Sequence, residues 1–513
     1  MDFIATHLLS IILFFPALSA LVILFMPKDE AKLYKWFALG ASLVPFALTL
    51  YAWVNFQAVQ AGYQFEEVYP WYTAIGSSLH LGVDGLSLSM VLLTTLLTPL
   101  ALLASFNISD KVKAYMMLFL FLETGMLGVF MAVDLLIFFV FWEVGLVPMY
   151  FLINQWGSAN RNYASLKFMI YTMGGSLGLL LAVQLLGVLF KTYDLQFITA
   201  NWSTYTASIA GIPASTVKTV AFWAFVIAFA VKVPLWPFHT WLPDAHTEAP
   251  TAGSMILAGV LLKLGAYGFL RLILPLYPVE AKYFAGALAF LAVAAIVFGA
   301  FASYAQTDFK RLVAYSSVNH MGFVVLGIAA AAFAVGTDDA RIALNGAILQ
   351  MFNHGLSAAG MFFLVGVIYE RTHTRNLEEF GGLFPLVPVY GGILIFTSMA
   401  SLGLPGLNGF ISEFLVVRGS FGVGVNSVSP VMAIYTAIAM LGLLFTGAYI
   451  LKGIKKVLHG PMNENWAHGE HKLTEINTRE IIVMIPLMVL ILWIGLYPAW
   501  ILDVINKAVV MLF

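Results

Sequence analysis

Long apolar runs separated by short polar breaks are the main pattern of this chain. The stretches 8–25 and 481–496 carry no charged side chain. About twenty successive apolar residues form a helix that spans the hydrocarbon core of a bilayer. Such runs recur along the whole chain, so the pattern predicts an all-α polytopic membrane protein with fourteen transmembrane helices: 4–26, 31–56, 82–105, 112–132, 135–154, 164–190, 217–240, 250–274, 281–303, 310–331, 341–369, 386–417, 430–452 and 480–505.

The composition agrees with this pattern. Apolar residues make up 61% of the 513 residues, charged residues 10%, and the mean hydropathy is +0.91. These values are far above those of a soluble domain, and we expect none of any size. The net charge is −1, without an acidic or basic tail, so the expected surroundings are the lipid bilayer and not nucleic acid. The run 4–26 lacks the features of a cleaved signal peptide, and we expect it to be retained as a span.

Lysine and arginine are unevenly divided between the two sets of predicted loops. Sixteen lie on one side, and seven lie on the side that holds both termini. Cytoplasmic loops carry the excess of positive charge in membrane proteins. We therefore predict a multi-pass protein of a bacterial-type inner membrane, with both termini on the non-cytoplasmic side.

Two of the predicted spans contain helix-breaking residues. In the seventh span, Pro234 and Pro237 follow directly after Lys232. In the twelfth span, Pro405 stands among several glycines, the last of which, Gly409, precedes Glu413 by one turn. Proline removes a backbone donor, so both helices are predicted to be broken at these points.

The two predicted breaks lie at matching positions of the chain. Lys232 and Glu413 are 181 positions apart, and Met169 and Met351 are 182 positions apart. Paired interrupted helices in two halves are typical of inverted-repeat transporters with an ion site near the bilayer midplane. This register predicts a single transmembrane domain, 1–513, with two inverted five-helix repeats: N-terminal helices 1–3 in 1–110, helices 4–8 in 111–275, helices 9–13 in 280–455 and helix 14 in 480–513.

Four ionisable residues lie inside predicted spans. A charge at the centre of a membrane helix costs about 2.5 to 3.5 kcal/mol, which usually marks a function. Lys263 is too far from either end of its span to reach the membrane surface. Glu143 is expected to pair with Lys232, either as a switch that joins and separates charge or as a static packing pair. Glu413 is expected to release protons on the outer side, or to cap unwound backbone.

Several further polar residues lie near these four. His320 and His354 are expected to relay protons, since imidazole exchanges protons near neutral pH, although a buried histidine is often only a satisfied core residue. His239 follows the first break and is expected to line an entry path. His246 is predicted on a loop, where it is either a modulator or a surface residue. Glu123 is expected either to modulate the Glu143 pair or only to hydrogen-bond.

The sequence offers little for redox chemistry or metal binding. The chain has no cysteine, so it ligates no iron–sulfur cluster and forms no disulfide. Its ten histidines show no HxxxH or CxxCH spacing, so neither a metal site nor covalent haem is predicted. We expect no cofactor in this chain.

Several motifs resemble the antiporter-like subunits of respiratory complex I over nearly the whole chain. They are FWEVGLVPMY at 141–150, AVKVPLWPFHTWLPDAH at 230–246, APTAGSMILAGVLLK at 249–263 and SSVNHMG at 316–322. Within that family, Glu413 stands where other branches, and many Mrp-type subunits, tend to have lysine. The resemblance therefore favours the branch with a glutamate in the twelfth span.

The resemblance implies a fold, a function and roles for individual residues. It implies fourteen helices with inverted repeats that translocate protons, while other subunits holding NAD, FMN, iron–sulfur clusters and quinone pass electrons from NADH to quinone. Partners would be the hydrophilic and membrane subunits, especially neighbouring antiporter-like subunits. Glu143 and Lys232 would be a modulating pair, Lys263 the central carrier and Glu413 the exit residue. His320 and His354 would lie on the connecting polar axis.

Three other functions remain open at the level of sequence. One is a subunit of an Mrp-type cation/proton antiporter, which has no redox partner. Another is a membrane subunit of a hydrogenase or ferredoxin-linked complex, and the last is a scaffold, which the buried charges disfavour. The genes next to this one would separate the first two from complex I.

Overall fold

The computed structural model describes residues 2–28, 30–427, 429–467 and 472–512. Thirteen helices in this part of the chain are long and apolar enough to cross a membrane. They are α1 Leu8–Phe25, α2 Ala31–Asn55, α3 Gly85–Asn107, α4 Val112–Met131, α5 Leu135–Trp156, α6 Arg161–Phe190, α7 Ala214–Lys232, α8 Thr251–Leu276, α9 Ala285–Ala305, α10 Phe309–Phe333, α11 Asp338–Thr372, α13 Val431–Leu458 and α14 Thr478–Leu496. The predicted twelfth span, α12, consists of two helices, Pro388–Leu402 and Asn408–Asn426.

The difference between fourteen predicted spans and thirteen long helices has a local cause in α12. Its first half ends at Leu402 because Gly403 adopts a left-handed backbone conformation with φ near +80°. Only a residue without a side chain adopts that conformation readily. The second half begins at Asn408, five positions after Gly403. Similarly, α7 ends at Lys232, and the chain becomes helical again only at Trp241.

Other elements lie outside the long helices. A β-hairpin, which the sequence did not predict, pairs β1 (Gln64–Tyr72) with β2 (Ser77–Val83) in antiparallel order. The predicted last span ends early, because Tyr497 and Pro498 separate α14 from another helix. The short helices are Asp2–Thr6, Leu195–Trp202, Trp241–Glu248, Pro278–Tyr283 and Ala499–Met511, and the 3-10 turns are Thr73–Ile75 and Glu464–Trp466.

The hairpin and the last helix lie at one end of the bundle, which we call the terminal face. There the Glu67 carboxylate accepts the backbone N–H of Leu9 at 2.7 Å. A Cβ on Gly85 would lie 1.9 Å from the carbonyl oxygen of Val504, so the last helix packs directly on the start of α3. The opposite face is formed by connections such as 157–160 and 373–387.

Four helices form the centre of the bundle and carry Lys263, His320 and His354. The most apolar windows of α8 and α11 are completely buried, whereas that of α13 is only 28% buried. α8 contains two π-helical turns, Leu257–Leu261 and Phe269–Ile273. Such turns are rare and often accompany functional sites. α3 and α10 complete the centre, since 94% of each window is buried.

Candidate functional site: a buried polar axis

Lys263 lies at the centre of the bundle, on α8. Its side chain is completely buried, and Nζ is 2.7 Å from Nδ1 of His354 on α11. Nζ also donates a hydrogen bond to the carbonyl oxygen of Ala258, which lies in the first π-helical turn. Lys263 Nζ therefore has two partners, and no carboxylate of the described residues lies within hydrogen-bond distance of it.

A row of side chains continues from Lys263 toward α12. The rings of His354 and His320 are neighbours, with centroids 5.6 Å apart. His320 Nδ1 donates to the carboxylate of Glu413 at 2.8 Å. When Glu413 is ionised it only accepts, and His320 Nδ1 then carries the proton. These contacts bring together Lys263, His354, His320 and Glu413, as the sequence predicted for an axis.

Further polar side chains hold the α12 end of this row. Gln350 on α11 donates to Glu413 Oε1 at 3.0 Å and accepts from the Ser412 hydroxyl. Asn353 donates to Ser412 and to the carbonyl oxygen of Asn408, the first residue of the second half of α12. The broken helix is thus anchored to α11 by side chains directly beside the candidate row. Glu413 Oε1 bonds side chains here, whereas Oε2 lies at the break, 3.2 Å from where a Cβ on Gly403 would be.

Lys232 lies beside the row but is not part of its hydrogen bonds. A Cβ on Gly265 of α8 would lie 3.0 Å from Cβ of Lys232, so the two helices pack closely two residues from Lys263. The Lys232 Nζ atom is 5.0 Å from the centroid of the Trp142 ring, a cation–π contact. It has no hydrogen-bond partner in the described part of the chain.

The two glutamates of α4 and α5 also carry carboxylate oxygens without hydrogen-bond partners in the described structure. Gly125 and Gly145 bring these helices together, since a Cβ on Gly125 would lie 2.8 Å from Cα of Gly145. Glu123 is fully buried, and neither of its carboxylate oxygens has a hydrogen-bond partner in the described structure. Glu143 Oε1 likewise has none. The predicted Glu143–Lys232 pair is therefore not joined by a hydrogen bond between these atoms.

The two histidines after the α7 break differ from each other. His239 is partly buried and lies near the ring of Tyr315, at 6.1 Å. His246 was expected on a loop, with a surface position as one alternative. It instead lies in the helix Trp241–Glu248, is fully buried and stacks on Phe362 at 4.4 Å. The surface alternative is wrong, because proline-rich sequence here forms a packed helix.

Sequence reasoning missed two residues of this region. Tyr449 on α13 is fully buried, and its hydroxyl lies 3.3 Å from His320 Nε2. Lys310, at the first position of the predicted tenth span, is buried at the start of α10 and donates to the carbonyl oxygen of Ala249. The only sequence signal for Tyr449 was its hydroxyl group within an otherwise apolar stretch. Tyrosine is common in such stretches, so this residue did not stand out.

This arrangement suits proton transfer better than metal or redox chemistry. No group of three or more His, Cys, Asp or Glu side chains that could hold a metal occurs among the described residues. The row contains amine, imidazole and carboxylate groups in series, each of which can accept and release a proton.

Comparison with known proteins places the chain in a family. Residues 132–441 match the family model for the transmembrane region of NADH:quinone oxidoreductase and Mrp antiporters. The chain belongs to this family. It is 39% identical over 98% of both chains to a Rickettsia conorii protein named NADH-quinone oxidoreductase subunit M. The family predicted from the motifs is thereby confirmed.

Solved structures share the fold. A chain of respiratory complex I from Thermus thermophilus superposes with a TM-score of 0.83 at 27% identity, covering 98% of this chain and 99% of that chain. A chain of an Mrp complex from Dietzia sp. gives 0.80 at 23% identity, covering 98% of this chain and 52% of that one. At that identity the Mrp likeness concerns the fold alone. The predicted helical, multi-pass membrane fold is confirmed.

Proposed function

We propose that this chain is the subunit M type, proton-translocating membrane subunit of an NADH:quinone oxidoreductase. It is thus a subunit of an enzyme complex in which other subunits hold NAD, FMN, iron–sulfur clusters and quinone. The row from Lys263 through His354 and His320 to Glu413 carries this proposal. The match of 39% over nearly the full length of a subunit M supports the choice of complex.

Protons pass along the row by exchange between neighbouring groups. Lys263 is the central carrier, because its only side-chain partner in the described structure is His354. Imidazole accepts a proton on one nitrogen and releases one from the other, which suits His354 and His320 to the middle of the row. Glu413 then releases protons at the broken helix. Lys232 and Glu143 act as the modulating pair, with Glu123, His239 and His246 as secondary modulators.

The fold supports an orientation and a domain plan. The first and last described helices, Asp2–Thr6 and Ala499–Met511, lie at the terminal face. The predicted loops on that side carry fewer lysines and arginines, and we propose that this face is on the non-cytoplasmic side of the inner membrane. The two interrupted regions after Lys232 and before Glu413 fit two inverted repeats, 111–275 and 280–455. Neighbouring antiporter-like subunits are the proposed lateral partners.

The direct test is Lys263→Ala in the assembled complex. Removing the amine breaks the row at its centre, and we expect most of the proton pumping attributable to this chain to be lost while quinone reduction remains measurable. The measurement is internal pH in proteoliposomes during NADH oxidation. Lys282→Ala, at an exposed position on the terminal face, is the control and should pump normally. Full pumping by an assembled Lys263→Ala complex would refute the central-carrier role.

A further inference from the structure

A cavity at the terminal face ends on an ion pair that the row does not use. The cavity has a volume of about 290 Å³ and is lined by, among others, Tyr63, Gln196, Ala508 and Leu512. Asp84 and Arg271 also line it. Asp84 is the N-cap of α3, and Arg271 lies in the second π-helical turn of α8. The cavity thus reaches α8 itself from the terminal face.

The ion pair between Asp84 and Arg271 is short, buried and flanked by aromatic rings. Arg271 donates to Asp84 at 2.6 Å, and both residues are more than nine-tenths buried. The guanidinium lies between two aromatic rings, 5.1 Å from that of Tyr63 and 5.4 Å from that of Tyr267. Burial alone would raise the pKa of Asp84, but the Arg271 charge outweighs it and keeps this pKa below its usual range. Asp84 therefore stays ionised and does not take up protons readily.

The hydrogen bonds around Arg271 join the ion pair to Tyr267 through a second hydroxyl. Ser87 Oγ donates to Asp84 at 3.1 Å and lies 3.1 Å from the Tyr267 hydroxyl, which donates to the carbonyl oxygen of Phe130 at 3.0 Å. Arg271 donates to both hydroxyls, at 3.1 Å to Ser87 and 3.2 Å to Tyr267. Arginine itself keeps its proton at any physiological pH. Its fixed charge therefore lies directly against the hydroxyls that connect Asp84 with Tyr267.

Arg271 is close to the proposed proton carrier. Lys263, Tyr267 and Arg271 are spaced by four residues along α8, so they lie on about the same face. Eight residues of helix span about 12 Å. A conducting path through this short segment would connect Lys263 directly with the terminal face. Protons would then return without passing His354, His320 and Glu413, and the gradient would be lost.

We propose that Arg271, held in place by Asp84, is an electrostatic seal that stops protons leaking between the terminal-face cavity and Lys263. A fixed positive charge in a narrow, low-dielectric segment repels protons, as it does in selective pores. The inference rests on the proposed role of Lys263. The seal requires the guanidinium charge, whereas Asp84 only positions it.

The test measures passive leak, without NADH, in proteoliposomes that contain the assembled complex. An imposed pH gradient is followed with an internal pH dye. Arg271→Gln and the double variant D84N/R271Q should collapse the gradient at least about tenfold faster than wild type, because both lack the charge. Asp84→Asn keeps the charge and should leak much less. The double variant leaves a neutral pair, so it avoids an unpaired buried charge that would hinder folding.

The controls separate a seal from general damage. Arg371→Gln removes another buried pair, Arg371–Glu480 at 2.7 Å on the opposite face, and should not increase the leak. Adding Lys263→Ala to the double variant should slow the leak again, because the path passes through Lys263. A wild-type leak rate in assembled D84N/R271Q, or an equal leak in Asp84→Asn, would refute the seal. The leak is measured without NADH oxidation. Its outcome can therefore be told apart from the outcome of the pumping test on Lys263→Ala.

Discussion

The two halves of the polar axis differ in how their charged groups are satisfied. On the α12 side, Lys263, His354, His320 and Glu413 each have a side-chain hydrogen-bond partner. On the α5 side, Lys232 Nζ and at least one carboxylate oxygen of both Glu123 and Glu143 have none in the described structure. One half is a row of neighbouring proton-exchanging groups, and the other is a set of groups with unsatisfied polar atoms in the described structure.

This difference indicates different tasks. An unsatisfied buried polar group costs about 1 to 3 kcal/mol, and more if it is charged. A conformational change that joins Glu143 to Lys232 would recover part of this cost, so the α5 side is suited to respond to a signal. On the α12 side, His354 Nε2 is unsatisfied in the described structure, but Lys263 Nζ and the Glu413 carboxylate already have partners, so this side is suited to conduct. Changes on the two sides should therefore have different signatures.

The largest effect is expected from breaking the connected side at His320. His320→Leu removes both the bond to Glu413 and the contact with His354, while an apolar side chain of similar size fills the space. Losing one positioned proton-transfer group slows transfer by at least about tenfold. The measurement is proton pumping per NADH oxidised in proteoliposomes.

A matched control lies on the other side of the same ring. Tyr449→Phe removes only the hydroxyl that contacts His320 Nε2 at 3.3 Å, and pumping should be reduced slightly. If Tyr449→Phe impaired pumping as strongly as His320→Leu, Tyr449 would belong to the path. If His320→Leu pumped normally, the relay would be wrong.

A moderate effect is expected on the unpaired side. Glu143→Gln and Lys232→Ala should each slow coupled turnover without unfolding the chain. If the two residues act as one switch, the double variant should be little worse than the slower single one, with an interaction energy of roughly 0.5 to 3 kcal/mol. NADH:quinone turnover in the assembled complex measures this. If the effects of the two substitutions on turnover, expressed as free energies, simply add, the two residues act independently and the switch is refuted.

The smallest effect concerns the hairpin, away from the axis. Both ring nitrogens of His80 donate to carboxylates, at 2.9 Å to Glu66 and 3.1 Å to Asp194. Burial alone would lower the pKa of His80, but the bonds to Asp194 and then Glu66 raise it. A raised pKa stabilises the fold at low pH, and this contribution disappears as pH rises through the folded-state pKa.

His80→Gln should therefore lower the thermal midpoint of the purified complex at about pH 6 but not at about pH 9. Glu66 is 40% exposed, so solvent screening limits the effect to about 1 kcal/mol or less. Thermal scans at the two pH values measure it. An equal loss at both pH values would show that the histidine acts only through packing.

The sequence predicted the parts of the molecule that have a large local signal. Apolar runs located the membrane helices, and a charge within such a run located Lys263 and Glu413, because the cost of burying a charge is high wherever it occurs. Prolines and glycines located the helix ends at Lys232 and Leu402. The motifs then predicted the family.

Contacts between residues that are far apart in the sequence left no such local signal. The unpaired state of Glu123 depends on what α4 packs against, which no local pattern encodes. Arg271 lies near the end of a predicted span and did not stand out as a buried charge, because its partner Asp84 is 187 positions away. His246 was misplaced for the same reason, since burial of the helix Trp241–Glu248 comes from neighbours such as Phe362.

The central claim is that protons cross this chain through Lys263 and the connected row beyond it. The most direct measurement is the number of protons pumped per NADH oxidised by the reconstituted complex, compared between Lys263→Ala, His320→Leu and Lys282→Ala. We predict that the first two fall to the same lower ratio while Lys282→Ala keeps the wild-type ratio. An unchanged ratio in either of the first two, with normal assembly, would contradict the account.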